Sequence, residues 1–115
     1  MIHNGSCHCG SVAYTVEGDI QQAMECNCSH CRRKGYMLWF ASRDKLKFTS
    51  PETALATYTF NKHAIQHQFC SKCGCAPFGF GKDKEGRDTV AVNVRCLPDV
   101  EFSSLKIIPV DGKSF

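Results

Sequence analysis

Eight of the nine cysteines fall into three groups whose spacing suits metal chemistry: Cys7 and Cys9; Cys26, Cys28 and Cys31; and Cys70, Cys73 and Cys75. Cys96 stands apart. Two thiols two or three residues apart can turn both sulfurs inward on one tight bend. The glycine that follows, Gly10 in the first group and Gly74 in the third, tolerates the positive φ that lets backbone N–H groups point at thiolates. One such knuckle supplies two ligands, and structural zinc takes four in a tetrahedron. Cys7, Cys9, Cys70 and Cys73 make that set. A Zn2+ there would tie the N-terminal edge to the middle of the chain and staple a thin core. The bland alternative is four inert, reduced thiols, and two independent Cys-Gly knuckles argue against it.

The middle group differs. Cys26-Asn27-Cys28-Ser29-His30-Cys31 puts three thiols within one short loop, with no glycine directly after the last. Three protein ligands and an open fourth position are the pattern of a catalytic metal. Three thiolates leave Zn2+ with a net negative charge, a weak Lewis acid toward a carbonyl. Such a site suits a soft anionic ligand, so a substrate thiol could bind, lose its proton and await an electrophile. The residues therefore favour thiol chemistry over hydrolysis. The alternative is closure by a protein ligand, with His30, His67, Cys75 and Cys96 as candidates, which would make a second structural site. Cys28-Ser29-His30-Cys31 is also a Cys-x-x-Cys. Its redox version opens a helix in a strand–helix pattern, and Gly35, following so soon, argues against one here.

The elements that must position these groups are short strands. Turn signals recur at Asn4-Gly5, Gly18-Asp19, Gly35, Ser50-Pro51, Asn61-Lys62, Gly79 to Gly86 and Leu97-Pro98-Asp99. Between them, strand alternation places Val12, Tyr14 and Val16 on one face, and likewise Val90, Val92 and Val94. Ile65, His67 and Phe69 make a third set, and Ala56, Tyr58 and Phe60 a fourth, with Tyr14 and Tyr58 expected in the core. The apolar run Tyr36 to Ala41 predicts a strand buried on both faces or a core helix segment. A turn or two of helix is expected at Glu52 to Leu55, and a polar hairpin or loop at Lys82 to Asp88. The chain of 115 residues thus reads as one all-β domain over residues 1–115, with about eight short strands.

Composition narrows the function. Hydrophobic residues make up 43% and charged residues 22%, which excludes a disordered chain. No apolar run approaches the roughly 18 residues of a membrane span. The net charge of +3 is mild and not segregated, which argues against nucleic acid as a partner. The N-terminus carries no basic region followed by an apolar stretch, so a cytoplasmic setting with reduced thiols is expected.

In their order and spacing, four pieces of this chain resemble the glutathione-dependent formaldehyde-activating enzyme family, which also includes centromere protein V. They are Gly5-Ser6-Cys7-His8-Cys9-Gly10, Cys26-Asn27-Cys28-Ser29-His30-Cys31, Phe69-Cys70-Ser71-Lys72-Cys73-Gly74 and Val92-Asn93-Val94-Arg95-Cys96-Leu97. Any one piece is weak; the four together, over roughly residues 5 to 100, are specific. The resemblance implies a β-tent, a single domain of short, coiled antiparallel sheets stapled by zinc. It implies structural zinc on Cys7, Cys9, Cys70 and Cys73, and a second zinc on Cys26, Cys28 and Cys31 with the fourth place open. It also implies carbon–sulfur lyase chemistry, in which glutathione and formaldehyde combine reversibly as S-hydroxymethylglutathione. The chain looks short beside the named enzyme, so elements that shape a glutathione pocket would be missing.

Further residues could serve such a site. Arg32, Arg33 and Lys34 could draw the carboxylates of a peptide thiol toward the metal, or simply offset an anionic cluster. Arg32, Arg33 or His30 could steady a carbonyl oxygen. Trp39 could line a pocket beside the metal, with core packing as the plain alternative. Cys96 or His67 could act near the second metal, while Cys75 and Cys96 also suit small buried positions. Two other functions stay open: a non-catalytic zinc module that meets protein or nucleic acid, and a thiol-redox or metal-buffering protein.

Overall fold

The computed structural model describes residues 1–60 and 65–111. The chain opens with β1 (Ile2–Ser6), β2 (Ala13–Glu17) and β3 (Gln22–Cys26), then turns through a short helix α1 (Ser29–Lys34) into β4 (Leu38–Ser42) and β5 (Leu46–Phe48). β6 (Leu55–Tyr58), β7 (Gln66–Cys70), β8 (Phe78–Lys82), β9 (Asp88–Asn93) and β10 (Lys106–Val110) follow. They form two sheets, a three-stranded one ordered β1-β2-β5 and a seven-stranded one ordered β10-β3-β4-β9-β8-β7-β6. The all-β reading holds, with ten strands among the described residues rather than about eight. The pairing is antiparallel except between β10 and β3, which run parallel with Val110 beside Cys26. No helix among the described residues is long and apolar enough to cross a membrane.

Alternation sets the core. Val12, Tyr14 and Val16 turn inward from the small sheet, and Val90, Val92 and Val94 from the large one, all of them buried. Tyr14 meets Phe78 edge-on, ring centres 5.0 Å apart at 87°, which joins the two sheets. Of the hairpin or loop expected from Lys82 to Asp88, the structure has the hairpin, with those two residues paired and Asp83 accepting from the Arg87 backbone and guanidinium. A single 3-10 turn spans Glu52–Ala54 where a turn or two of helix was expected.

Three expectations need correction. The run from Tyr36 to Ala41 ends in a strand, but not one buried on both faces: Tyr36 and Met37 are buried before β4 begins, while Phe40 is 50% exposed. On β7 the residues facing the core are Gln68 and Cys70, and Ile65, His67 and Phe69 share the opposite face, as alternation led one to expect. Tyr58, paired across the strands with His67, lies on that same face and is 49% exposed rather than core. The helix α1 lies where only a turn was read. Its six residues are too few for a 3.6-residue repeat to show. The expected turn at Asn61-Lys62 lies outside the described residues.

Candidate metal and substrate site

The first thiol group is assembled by two knuckles from different sheets. Cys7 follows β1 and Cys70 ends β7, and the Sγ atoms of Cys7, Cys9, Cys70 and Cys73 all lie within 4.8 Å of one another. Cys7 and Cys9 are 3.7 Å apart and Cys9 and Cys70 3.6 Å. Four sulfurs around a tetrahedral zinc at about 2.3 Å would sit about 3.8 Å apart. Gly10 and Gly74 take φ of 83° and 82°, the left-handed turn the knuckle needs. The N–H of Val12 donates to Cys7 Sγ at 3.3 Å, and the N–H of Lys72 and Cys73 to Cys70 Sγ at 3.4 and 3.5 Å. Spacing, glycine conformation and N–H donors all fit a bound zinc. Without a metal the thiols diverge: burial pushes Cys7 up to about 11, while the Cys75 and Cys9 N–H groups hold Cys73 down at about 5.

The second group sits where β3 turns into α1. Cys26, Cys28 and Cys31 also bring their Sγ atoms within 4.8 Å of one another. The N–H of Cys28 donates to Cys26 Sγ at 3.5 Å, and that of Cys31 to Cys28 Sγ at 3.3 Å. Cys28 is therefore both a candidate ligand and the N-cap of α1. Burial opposes ionisation of Cys28, but the Cys31 N–H and neighbouring thiols outweigh it and its pKa is lowered. Burial pushes the Cys31 thiol the other way, well above the ordinary thiol range. This set too fits a metal, with three protein sulfurs.

What separates the two groups is access. Cys26, Cys28 and Cys31 line a cavity of about 340 Å³ whose remaining wall is largely apolar, including Met24, Leu38, Phe40, Phe60, Ile65 and Val110. Among the described residues, none of Cys7, Cys9, Cys70 and Cys73 borders it. A second cleft, of about 430 Å³, adjoins it and shares Tyr36 and His67. Its lining adds His30, Arg33, Lys34, Tyr58, Gln68 and Phe69. Both volumes fall in the lower part of the range of small-molecule sites, about 300–1,000 Å³.

An aromatic tier stands between the two spaces. His30 and His67 have ring centres 4.3 Å apart, and Tyr58 and Phe60 stack on them at 5.4 and 5.3 Å respectively. The Tyr36 hydroxyl lies 3.4 Å from His30 Nε2. Burial, followed by the charge of Lys34, lowers the pKa of His30. Burial, followed by the charges of His30 and Lys34, brings His67 down to about 4. Burial and the nearby Cys31 push Tyr36 up to about 12. At neutral pH both imidazoles are thus uncharged and the phenol keeps its proton.

The other candidate residues fall in different places. Arg33 lines the second cleft and donates to the Ser29 carbonyl at 2.9 Å, whereas Arg32 is exposed and borders neither space among the described residues. His67 faces both spaces but is not in the three-thiol group. Cys96 is in neither group, and the thiols nearest it electrostatically are Cys75, Cys7 and Cys73, of the first knuckles rather than the second. Trp39 takes the opposite face of β4 from Leu38 and Phe40 and covers Gly18, where any Cβ would run into its ring. Alternation along β4 is the signal that selects Leu38 and Phe40 for the cavity over Trp39. Tyr36 and Asn93 carried no such signal. The Asn93 amide donates to the Ala76 carbonyl at 3.1 Å and its oxygen accepts from Met37 N–H at 3.4 Å, which holds the segment bearing Tyr36.

Comparison with known proteins adds two findings. A family model described as glutathione-dependent formaldehyde-activating enzyme matches residues 2–107. The fold is also similar to the crystal structure of a Rhodobacter sphaeroides protein, with a TM-score of 0.79 and 30% sequence identity over 92% of this chain and 97% of that one.

Proposed function

The chain belongs to the glutathione-dependent formaldehyde-activating enzyme family, and on that footing we propose that it is a zinc-dependent enzyme of the carbon–sulfur lyase type acting on thiol–aldehyde adducts. The observation that carries this reading is the contrast between the two thiol groups: among the described residues, the three-cysteine set lines the apolar cavity, and the four-cysteine set lines neither that cavity nor the adjoining cleft. Cys7, Cys9, Cys70 and Cys73 would hold a structural zinc. Cys26, Cys28 and Cys31 would hold a second, leaving its fourth place to the thiol of glutathione or a similar small thiol. Zinc bound there supplies one thing, a lowered pKa for that thiol at neutral pH.

The rest of the chemistry falls to the chain. Cys26 and Cys28, braced by backbone N–H groups, fix where the substrate sulfur arrives. Tyr36 borders both spaces and keeps its proton, so its O–H can donate to the oxygen of an aldehyde carbonyl. In the forward direction a sulfur–carbon bond forms and the carbonyl π pair moves to oxygen. The proton lost by the thiol is balanced by the one that oxygen gains. Reversal breaks the same bond and returns both. Arg33 and Lys34 on the rim offer charge to the carboxylates of a peptide thiol. A cytoplasmic, reducing setting would keep all of these sulfurs available.

The test is zinc content and catalysis on protein purified under reducing conditions without added metal, wild type beside Cys28→Ser. The expected result is two zincs falling to one. Acceleration of the glutathione–formaldehyde adduct should fall to the uncatalysed rate, with the circular dichroism spectrum kept. Full acceleration in a Cys28→Ser protein that has lost the second zinc would sink the proposal. A thiol-redox reading has an observation of its own, because Cys28 does open a helix after a strand, and its thiol is lowered. Metal-free protein with a reversible Cys28–Cys31 disulfide would favour it.

A further inference from the structure

The two adjoining spaces differ in chemistry, and the difference bears on which aldehyde the site takes. Formaldehyde has one carbon and needs almost no room beyond the reacting sulfur. The cavity beside Cys26, Cys28 and Cys31 is about 340 Å³ and walled by Met24, Leu38, Phe40, Phe60, Ile65 and Val110. Among the described residues, no Asp, Glu, Lys or Arg lines it, so away from the three cysteines its wall carries no charge. The polar and cationic groups lie in the second cleft, where Arg33 and Lys34 sit at the end of α1, and Lys34 is 5.5 Å from the Phe69 ring centre. A ligand with a carboxylate tail is drawn to the second cleft and a neutral apolar one to the first. Tyr36 and His67, shared by both, mark where the two halves meet.

We propose that the apolar cavity takes the tail of a medium-chain aliphatic or aromatic aldehyde, while the anionic tail of the thiol lies in the cationic cleft, so that the substrate is the hemithioacetal of a larger aldehyde than formaldehyde. This rests on the thiol–aldehyde reading above and extends it to the identity of the aldehyde. The bonds made and broken are those already given: sulfur adds to the carbonyl carbon, and the oxygen takes up the proton the thiol gives up. Neither partner is oxidised or reduced.

The test uses zinc-loaded full-length protein with glutathione and, in turn, formaldehyde, propanal and hexanal, reading the acceleration of adduct formation over the uncatalysed rate for each aldehyde. Each methylene buried in an apolar site is worth about fourfold, so hexanal should exceed formaldehyde in acceleration by at least tenfold. Ala91→Phe, which intrudes on the cavity from β9, should cut the hexanal-to-formaldehyde ratio about tenfold or more. If that variant does not fold, Phe40→Ser, at a half-exposed rim position, should lower the same ratio. A ratio that stays flat or falls with chain length, while formaldehyde is still accelerated, overturns this inference and leaves the thiol–aldehyde reading standing. No acceleration with any aldehyde overturns both. An equal gain from pairing a long neutral thiol with formaldehyde would place the thiol's tail in the cavity and overturn the assignment.

Discussion

Cys28 carries two jobs that one substitution can separate. Its sulfur belongs to the three-thiol group, and it also accepts the Cys31 N–H that opens α1. Serine removes the thiolate but keeps an N-cap oxygen, and alanine removes both. Both variants should lose the second zinc. Cys28→Ala should melt below Cys28→Ser by a further increment of about 1 kcal/mol, roughly 4 °C for a domain of this size, read by thermal denaturation. At the scale of single residues the cysteines were legible because their chemistry needs fixed spacing. The cavity wall was not. Leu38 and Phe40 differ from Trp39 only in which way the strand turns them. Tyr36 matters through a fold that brings it beside His67, distant in sequence, and local spacing carries no such information.

The aromatic tier belongs to elements rather than residues, since β6, β7 and α1 each supply part of it. Its histidines sit neutral among rings. His67 falls to about 4 in the folded protein against 6.5 when free. Between those values the unfolded chain binds the proton and the folded chain does not, so stability falls as pH is lowered through that window. His67→Phe keeps a ring in the stack and removes the titration. Its melting temperature should therefore change less between pH 7 and pH 5 than that of the wild type, measured by calorimetry in matched buffers. Strand alternation revealed that Ile65, His67 and Phe69 share a face, and likewise Ala56, Tyr58 and Phe60. It could not say whether that face met the core or a cavity, because aromatic side chains suit both. The face turned out to be the wall of the site. The helix α1 stayed hidden because six residues with a cap of cysteine give neither a repeat nor an ordinary start signal.

Over the whole molecule, the four-cysteine group ties the three-stranded sheet to the seven-stranded one, through the knuckle after β1 and the knuckle after β7. Removing one of its ligands should cost far more than removing one from the three-cysteine group. Cys9→Ser is expected to destabilise by more than about 4 kcal/mol, the range that loss of a metal reaches. Cys28→Ser should leave the melting transition nearly in place, and paired calorimetry on the two variants checks the contrast. The all-β class was legible from turn spacing and alternation, and the grouping of Cys7, Cys9, Cys70 and Cys73 from their spacing. The parallel addition of β10 to β3 was not, because Lys106 to Val110 carries no mark of the strand it joins. That pairing sets an order of events during synthesis. Cys7, Cys9, Cys70 and Cys73 have all been made once Cys73 leaves the ribosome, so a metal bound there could close the group early. The strand that carries Cys26 gains its second neighbour, and the cavity its Val110 wall, only after translation has run on for some seconds at about 5–20 residues per second. The nascent protein could thus close the proposed four-cysteine metal site while the cavity beside the three-cysteine group still lacks a side.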